Sequence, residues 1–272
     1  MPIKDILVAC NGGDAADRAL AHAIALTRGG EAHLTGAVVH GVSALIAQLG
    51  PWITESIEQV IRGQDDARRT EIRAGFEAAT GGLSDRIHFI DLAGRPEAVL
   101  GETARFYDLL VVGRGGTAPG PSHFSVNMHE LAAHCGGPLM VVPAKAPVTE
   151  GGPKRIVLAW DGKPAAAHAL SAALPLMASA EAVSIVTVGS VDEAHADRVA
   201  RHLLRHGIEA EAVALASQFG GIGKTLLDAC KESGADLLVM GAYEHAKLAE
   251  DVFGGVTDTV LREAHLPVMM VH

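Results

Sequence analysis

Two pairs of short stretches carry residue types suited to gripping a small ligand. Asn11-Gly12 and Asp161-Gly162 each break an apolar run, and glycine-bearing loops run from Gly113 to Ser125 and from Gly241 to Gly255. Glycine lets backbone approach a ligand closely, and N–H groups opening a following helix can receive phosphate oxygens. Asn11 and Asp161 serve equally well as helix caps or turn residues. No Ser-His-Asp or paired-carboxylate constellation stands out, so no catalytic residue is assigned. Gly223-Lys224-Thr225 has the ending of a phosphate-binding loop, but Gln218 stands where its first glycine belongs. His129, His134 with Cys135, and His245 match no standard ligand spacing, and no metal site is assigned.

These stretches recur because the chain reads the same way twice. Ile6-Leu7-Val8-Ala9-Cys10-Asn11-Gly12 returns as Ile156-Val157-Leu158-Ala159-Trp160-Asp161-Gly162, and Tyr107-Asp108-Leu109-Leu110-Val111-Val112-Gly113 as Ala235-Asp236-Leu237-Leu238-Val239-Met240-Gly241. Each half closes on a proline-led apolar run at Pro138 and Pro267. The interval from Gly12 to Gly113 exceeds that from Gly162 to Gly241 by 22 residues, while the flanking intervals nearly agree. The excess is read as one insertion, over about 43–63, into one of two homologous domains spanning 1–147 and 153–272. Its apolar residues Leu45, Ile46, Leu49, Trp52 and Ile53 should lie against protein, being costly in water. Residues 143–153 have linker composition.

Apolar runs over 3–9, 33–39, 86–90, 109–112 and 139–142 read as strands, with helices over 14–28, about 64–80, 95–106 and 126–133 between them. The second copy repeats the order, with strands over 155–159, 182–188, 210–214, 237–240 and 268–271. Strands alternating with helices imply right-handed crossovers and a parallel sheet. The fold class is α/β: two tandem doubly wound domains, each a five-stranded parallel sheet flanked by helices. In such sheets ligands sit beyond the carboxyl ends of the strands, where strand order reverses.

Composition agrees. The 272 residues suit two domains, and a 49% hydrophobic content with only 4% aromatics points to Val, Leu, Ile and Ala packed around buried strands. A net charge of −10 with no basic patch gives no support for nucleic-acid or membrane-surface partners. Cys10, Cys135 and Cys230 stand far apart, as small buried residues or unpaired thiols. No signal peptide precedes Ile6 and no apolar run reaches the ~18 residues of a membrane span, so a cytoplasmic location is expected.

The chain resembles the universal stress proteins in their tandem two-domain form, most specifically from Val239 to Thr257 and from Val260 to Met269. ATP-binding members carry Gly-x2-Gly-x9-Gly-(Ser/Thr) after strand four and an acidic residue ending strand one, and they grip adenine through backbone at the end of strand two. The resemblance implies strand order 3-2-1-4-5, with the halves paired through their fifth strands. It places the nucleotide contacts of the second half at Ala159, Asp161, Val188, Gly241, Glu244, Gly254, Gly255, Val256 and Thr257. Glu244 replaces the second glycine and Gly255 the final Ser/Thr; a carboxylate there disfavours triphosphate by Coulomb repulsion. In the first half the corresponding residues are Asn11, Val39, Gly113, Gly116 and Ser125. There the spacing slips by one, and Pro119 and Pro121 stiffen the loop.

The implied function is a stress-response protein binding an adenine nucleotide (ATP, ADP or AMP, with Mg2+ alongside ATP) in at least one domain, the second before the first. It would act by conformation or through a protein partner. The alternatives are a non-nucleotide interaction protein holding another small ligand, and a slow ATPase. A monomer with an internal pseudo-dimer, or a homodimer, is expected.

Overall fold

The computed structural model describes residues 2–41, 46, 50, 54–81, 83, 85–115, 124–189, 193–242 and 255–272. The first half runs β1 (Asp5–Ala9), α1 (Asp14–Arg28), β2 (His33–His40), α2 (Glu55–Thr80), β3 (Ile87–Ala93), α3 (Pro96–Thr103), β4 (Leu109–Arg114), α4 (Met128–His134) and β5 (Leu139–Pro143). The second runs β6 (Arg155–Ala159), α5 (Pro164–Met177), β7 (Ala182–Val188), α6 (Glu193–Arg205), β8 (Ala210–Leu215), α7 (Gly221–Ser233), β9 (Leu237–Gly241), α8 (Gly255–Glu263) and β10 (Val268–Val271).

All ten strands share one sheet, ordered β3-β2-β1-β4-β5-β10-β9-β6-β7-β8. Each half is parallel in the expected 3-2-1-4-5 order. The halves meet where β10 pairs antiparallel with β5, Val268 opposite Val141, Met269 opposite Met140 and Met270 opposite Leu139. Each half thereby covers the open ladder of the other, an edge that would otherwise invite foreign strands.

Strand side chains alternate between two cores. Ile6 and Val8 enter one layer with α1, α2, α5 and α6; Leu7 and Ala9 enter the other with α3, α4, α7 and α8. Both layers run across the two halves, so no solvent gap separates them. The central strands are almost wholly apolar because both faces are covered, whereas the outer strands β3 and β8 carry exposed residues such as His88 and Glu211.

The two copies also share a device at the amino ends of their strands. Asp108 Oδ2 accepts from the Lys4 and Asp5 N–H groups at 2.7 and 3.1 Å. Asp236 accepts from Lys154 and Arg155 N–H, and from the Thr149 hydroxyl. The repeated aspartate before Leu-Leu-Val satisfies backbone donors where strand one begins.

The halves differ most in their second helix: α2 has 26 residues and α6 has 13. The helix expected from about residue 64 begins at Glu55, after Thr54, whose side chain accepts from the Ile57 N–H. Much of the insertion is therefore a forward extension of α2. Ile46 is half-buried, whereas Leu45, Leu49, Trp52 and Ile53 lie outside the described residues. Phe76 anchors the far end of α2 so closely over β2 that a Cβ on Gly36 would stand 2.5 Å from its ring. Arg73 stacks on Phe89 beside it, 4.5 Å from the ring centroid.

Candidate functional site at the strand carboxyl ends

In each half the helices leave strand one and strand four on opposite faces of the sheet. In the first, α1 belongs to one core layer and α4 to the other; in the second, α5 and α8 do the same. The crevice between β1 and β4, and that between β6 and β9, is where a doubly wound sheet holds ligands.

In the second half, Ala159 and Val188 end neighbouring strands, and the Trp160 N–H donates to Val186 O at 2.9 Å. Asp161 is exposed. Its Oδ1 accepts from the Lys163 N–H at 3.1 Å, and Oδ2 lies 3.9 Å from Lys163 Nζ. Asp161 thus acts as a turn residue, while its carboxylate stays open to solvent. The Trp160 indole N–H is buried without a partner among the described residues.

Gly241 ends β9, and a Cβ there would stand 2.6 Å from Ala166 N and 2.7 Å from Ala165 C, in the first turn of α5. A Cβ on Gly113, its counterpart, would stand 2.2 Å from Ala15 O and 2.3 Å from Ala15 C. Packing alone therefore requires the first glycine of the loop in both halves.

Gly255 behaves differently: it opens α8, is exposed, and a Cβ there would meet none of the described residues within 4 Å. Val256 is half-buried and Thr257 is 5% exposed, so the Thr257 side chain faces the interior. Glu244 and Gly254 lie outside the described residues.

In the first half, Asn11 Oδ1 is buried with no partner among the described residues, Val39 is fully buried and Ser125 is exposed. Gly116 lies outside the described residues. Burial pushes the neighbouring Cys10 thiol up to about 12, so it is not a nucleophile at neutral pH.

Sequence reasoning missed a charged cluster here. His40, ending β2, has Nδ1 3.1 Å from Asp65 Oδ2 and Nε2 3.4 Å from Asp91 Oδ1. The Asp65 contact lies within ion-pair range but off hydrogen-bond alignment, since His40 Nδ1 has no hydrogen-bond partner among the described residues. Arg69 donates to Asp65 at 3.0 Å and to Asp91 at 2.5 Å, and pairs with Asp66. Burial pulls the Arg69 guanidinium down, and the Asp91 and Asp65 carboxylates outweigh it, leaving it above its ordinary value. Asp65 and Arg69 come from α2, His40 from β2 and Asp91 from β3, so the cluster joins three elements of the first half. The signal available in the sequence was an Asp and an Arg four apart on one helix, but nothing there said which strand end they overlie.

Among the described residues no group of three or more metal-ligating side chains exists, and no helix is long and apolar enough to cross a membrane.

A model of the universal stress protein family matches residues 2–143 and again 152–272. Universal stress protein Slr1230 of Synechocystis is 26% identical over 178 residues, a match covering 60% of this chain and 57% of that protein. Among solved structures, a universal stress protein from Archaeoglobus fulgidus superposes with a TM-score of 0.72 at 15% identity, covering 98% of this chain and 97% of that one. A functionally unknown protein from Pseudomonas aeruginosa superposes at 0.60 with 13% identity, covering 99% and 92%. At these identities the superpositions speak for the fold alone.

Proposed function

Because this chain belongs to the universal stress protein family, we propose that it binds an adenine nucleotide in at least one half, the second before the first, and acts through conformation or a protein partner. The observation that carries this reading is the second-half crevice. An exposed Asp161 carboxylate follows one bordering strand, and beyond the other, α8 opens on an exposed Gly255 that no described residue crowds. The ribose would meet Asp161, adenine the backbone near Val188, and phosphates the first turn of α8 from Gly255 to Thr257. Where ATP is the ligand, Asp161 is the carboxylate able to share Mg2+ with its phosphates. The same reading assigns residues 1–147 and 153–272 to the two domains.

The test is nucleotide released by heat from purified protein and identified by mass, followed by calorimetry with ATP, ADP, AMP and adenosine. Gly255→Asp should weaken phosphate-bearing ligands and spare adenosine. Absence of any adenine ligand binding at millimolar concentration would refute the reading. A second reading, an interaction protein with vestigial pockets, draws support from Gly113 and Gly241, whose packing role needs no ligand. Phosphate release above a buffer blank, abolished by Asp161→Asn, would instead indicate a slow ATPase.

A further inference from the structure

The second helix of each half reaches back over the strand-one turn and lays a nitrogen-bearing side chain on its glycine. Gly12 and Gly162 occupy equivalent turns with φ of 78° and 81°. A Cβ on Gly12 would stand 2.0 Å from Arg68 Nη2 and 2.8 Å from its Cζ. A Cβ on Gly162 would stand 3.2 Å from His195 Nδ1. Neither Arg68 nor His195 belongs to the glycine loop or to the acidic strand-one position.

The two turns differ in charge. The second carries the Asp161 carboxylate, with Lys163 beside it. In the first, neutral Asn11 stands instead, its Oδ1 buried and unpartnered among the described residues, under a guanidinium that stays protonated at any working pH. Arg68 is largely buried, 16% exposed in its side chain, and its one ion pair among the described residues is to Glu71 at 2.7 Å. Glu71 is 70% exposed, so the pair is solvent-screened and weak. The other acidic groups nearby on α1, Asp14 and Asp17, are exposed. Guanidinium offers five donors in a planar fork suited to phosphate oxygens, and an anion of higher charge than one carboxylate would draw it from Glu71.

We propose that Arg68 makes the Asn11–Gly13 turn a phosphate subsite of the first half. It would be specific for phosphate-bearing small molecules and independent of metal, because the guanidinium itself neutralises the phosphate charge. The inference rests on the crevice reading above but assigns the first half a different determinant.

The test uses the full chain and titrates pyrophosphate, ADP and adenosine by calorimetry in EDTA, for wild type, Arg68→Ala, Arg68→Met and Arg68→Lys. Wild type should bind pyrophosphate and ADP without metal. Arg68→Ala and Arg68→Met should weaken both by roughly ten- to a hundredfold and leave adenosine unchanged, with Arg68→Lys intermediate. Arg68→Met keeps a straight stem over Gly12, so it carries the test if the alanine variant folds poorly. The subsite is overturned if pyrophosphate does not bind wild type at millimolar concentration. It is equally overturned if the variants bind pyrophosphate as wild type does, or if adenosine falls in step with ADP. Arg68-dependent pyrophosphate binding without any adenine binding would uphold the subsite and sink the nucleotide reading. Adenine binding indifferent to Arg68 would do the reverse.

Discussion

Replacing Gly241 or Gly113 by alanine separates packing from ligand binding as the reason for the loop's first glycine. At Gly241 the new methyl would stand 2.6 Å from Ala166 N and 2.8 Å from Ala165 Cβ; at Gly113 it would stand 2.2 Å from Ala15 O. Non-bonded carbon contacts settle at about 3.5–4.0 Å, so the first turn of α5 must withdraw by roughly 1 Å and that of α1 by more. The obstructing atoms are mostly backbone, and no rotamer change relieves them. Overpacking of this kind costs about 1–3 kcal/mol, against a gain of about 0.4–1 kcal/mol from a stiffer unfolded chain. The net expectation is a loss of about 0.5–1.5 kcal/mol for Gly241→Ala and about 1.5–2.5 kcal/mol for Gly113→Ala, read as a fall of roughly 1–10 °C in melting midpoint. Gly63→Ala and Gly75→Ala are the controls. Both sit inside α2 with nothing within 4 Å of a Cβ, and each should stabilise by about 0.5–1 kcal/mol. Thermal and urea unfolding followed by circular dichroism decide. If Gly113→Ala and Gly241→Ala melt at or above wild type, the packing argument fails and the glycines must be explained by what the loops bind.

Arg114, ending β4, donates to Arg262 O at 2.6 Å and also to Ala264 O, capping the carboxyl end of α8 from the other half. Burial pulls its guanidinium pKa down. Arg114→Ala should cost about 1.5 kcal/mol, a charge-assisted bond to carbonyls, and speed amide hydrogen exchange in α8; unchanged exchange would refute the cap. His22 is buried on α1, and burial lowers its pKa from the ordinary 6.5. The unfolded chain then binds the extra proton, so stability is full above 6.5 and is lost as pH falls toward the lowered folded value. His22→Gln should flatten that limb in denaturant midpoints, and an unaltered acid limb would exclude His22 as its source. Burial raises the Cys10 and Cys230 thiols to about 12 and the Cys135 thiol upward. None should react with a disulfide reagent at about pH 8 in native protein, and rapid native labelling would contradict the burial.

The duplication made most of the fold legible. Residues buried on both sheet faces leave uninterrupted apolar runs such as Ile6–Ala9, so both copies of every strand could be located. The seam at the fifth strands came with the family resemblance rather than from the apolar runs, which do not say which edge of each half is covered. The start of α2 was not legible: residues 55–63 read as separate amphipathic turns of the insertion, because Gly63 interrupts the pattern and only Thr54 marks the cap. At the site, the turns of Asn11 and Asp161 were visible because glycine follows them. Arg68 and His195 were not, because their importance comes from helices folding back across the sheet, a contact between segments dozens of residues apart. The packing duty of Gly113 and Gly241 was hidden for the same reason: the atoms that forbid a side chain belong to α1 and α5.

The antiparallel junction of β5 and β10 has a consequence for divergence. Two separate chains meeting along such a ladder would dissociate on dilution and would carry every substitution twice, once in each pocket. Residues 144–154 tether the partners, so their encounter is unimolecular at any protein concentration, and each substitution falls on one side alone. Under that arrangement one half can lengthen a helix to 26 residues and lay Arg68 on its turn, while the other keeps 13 and lays His195 there. Neither change has to be compatible with its own mirror image.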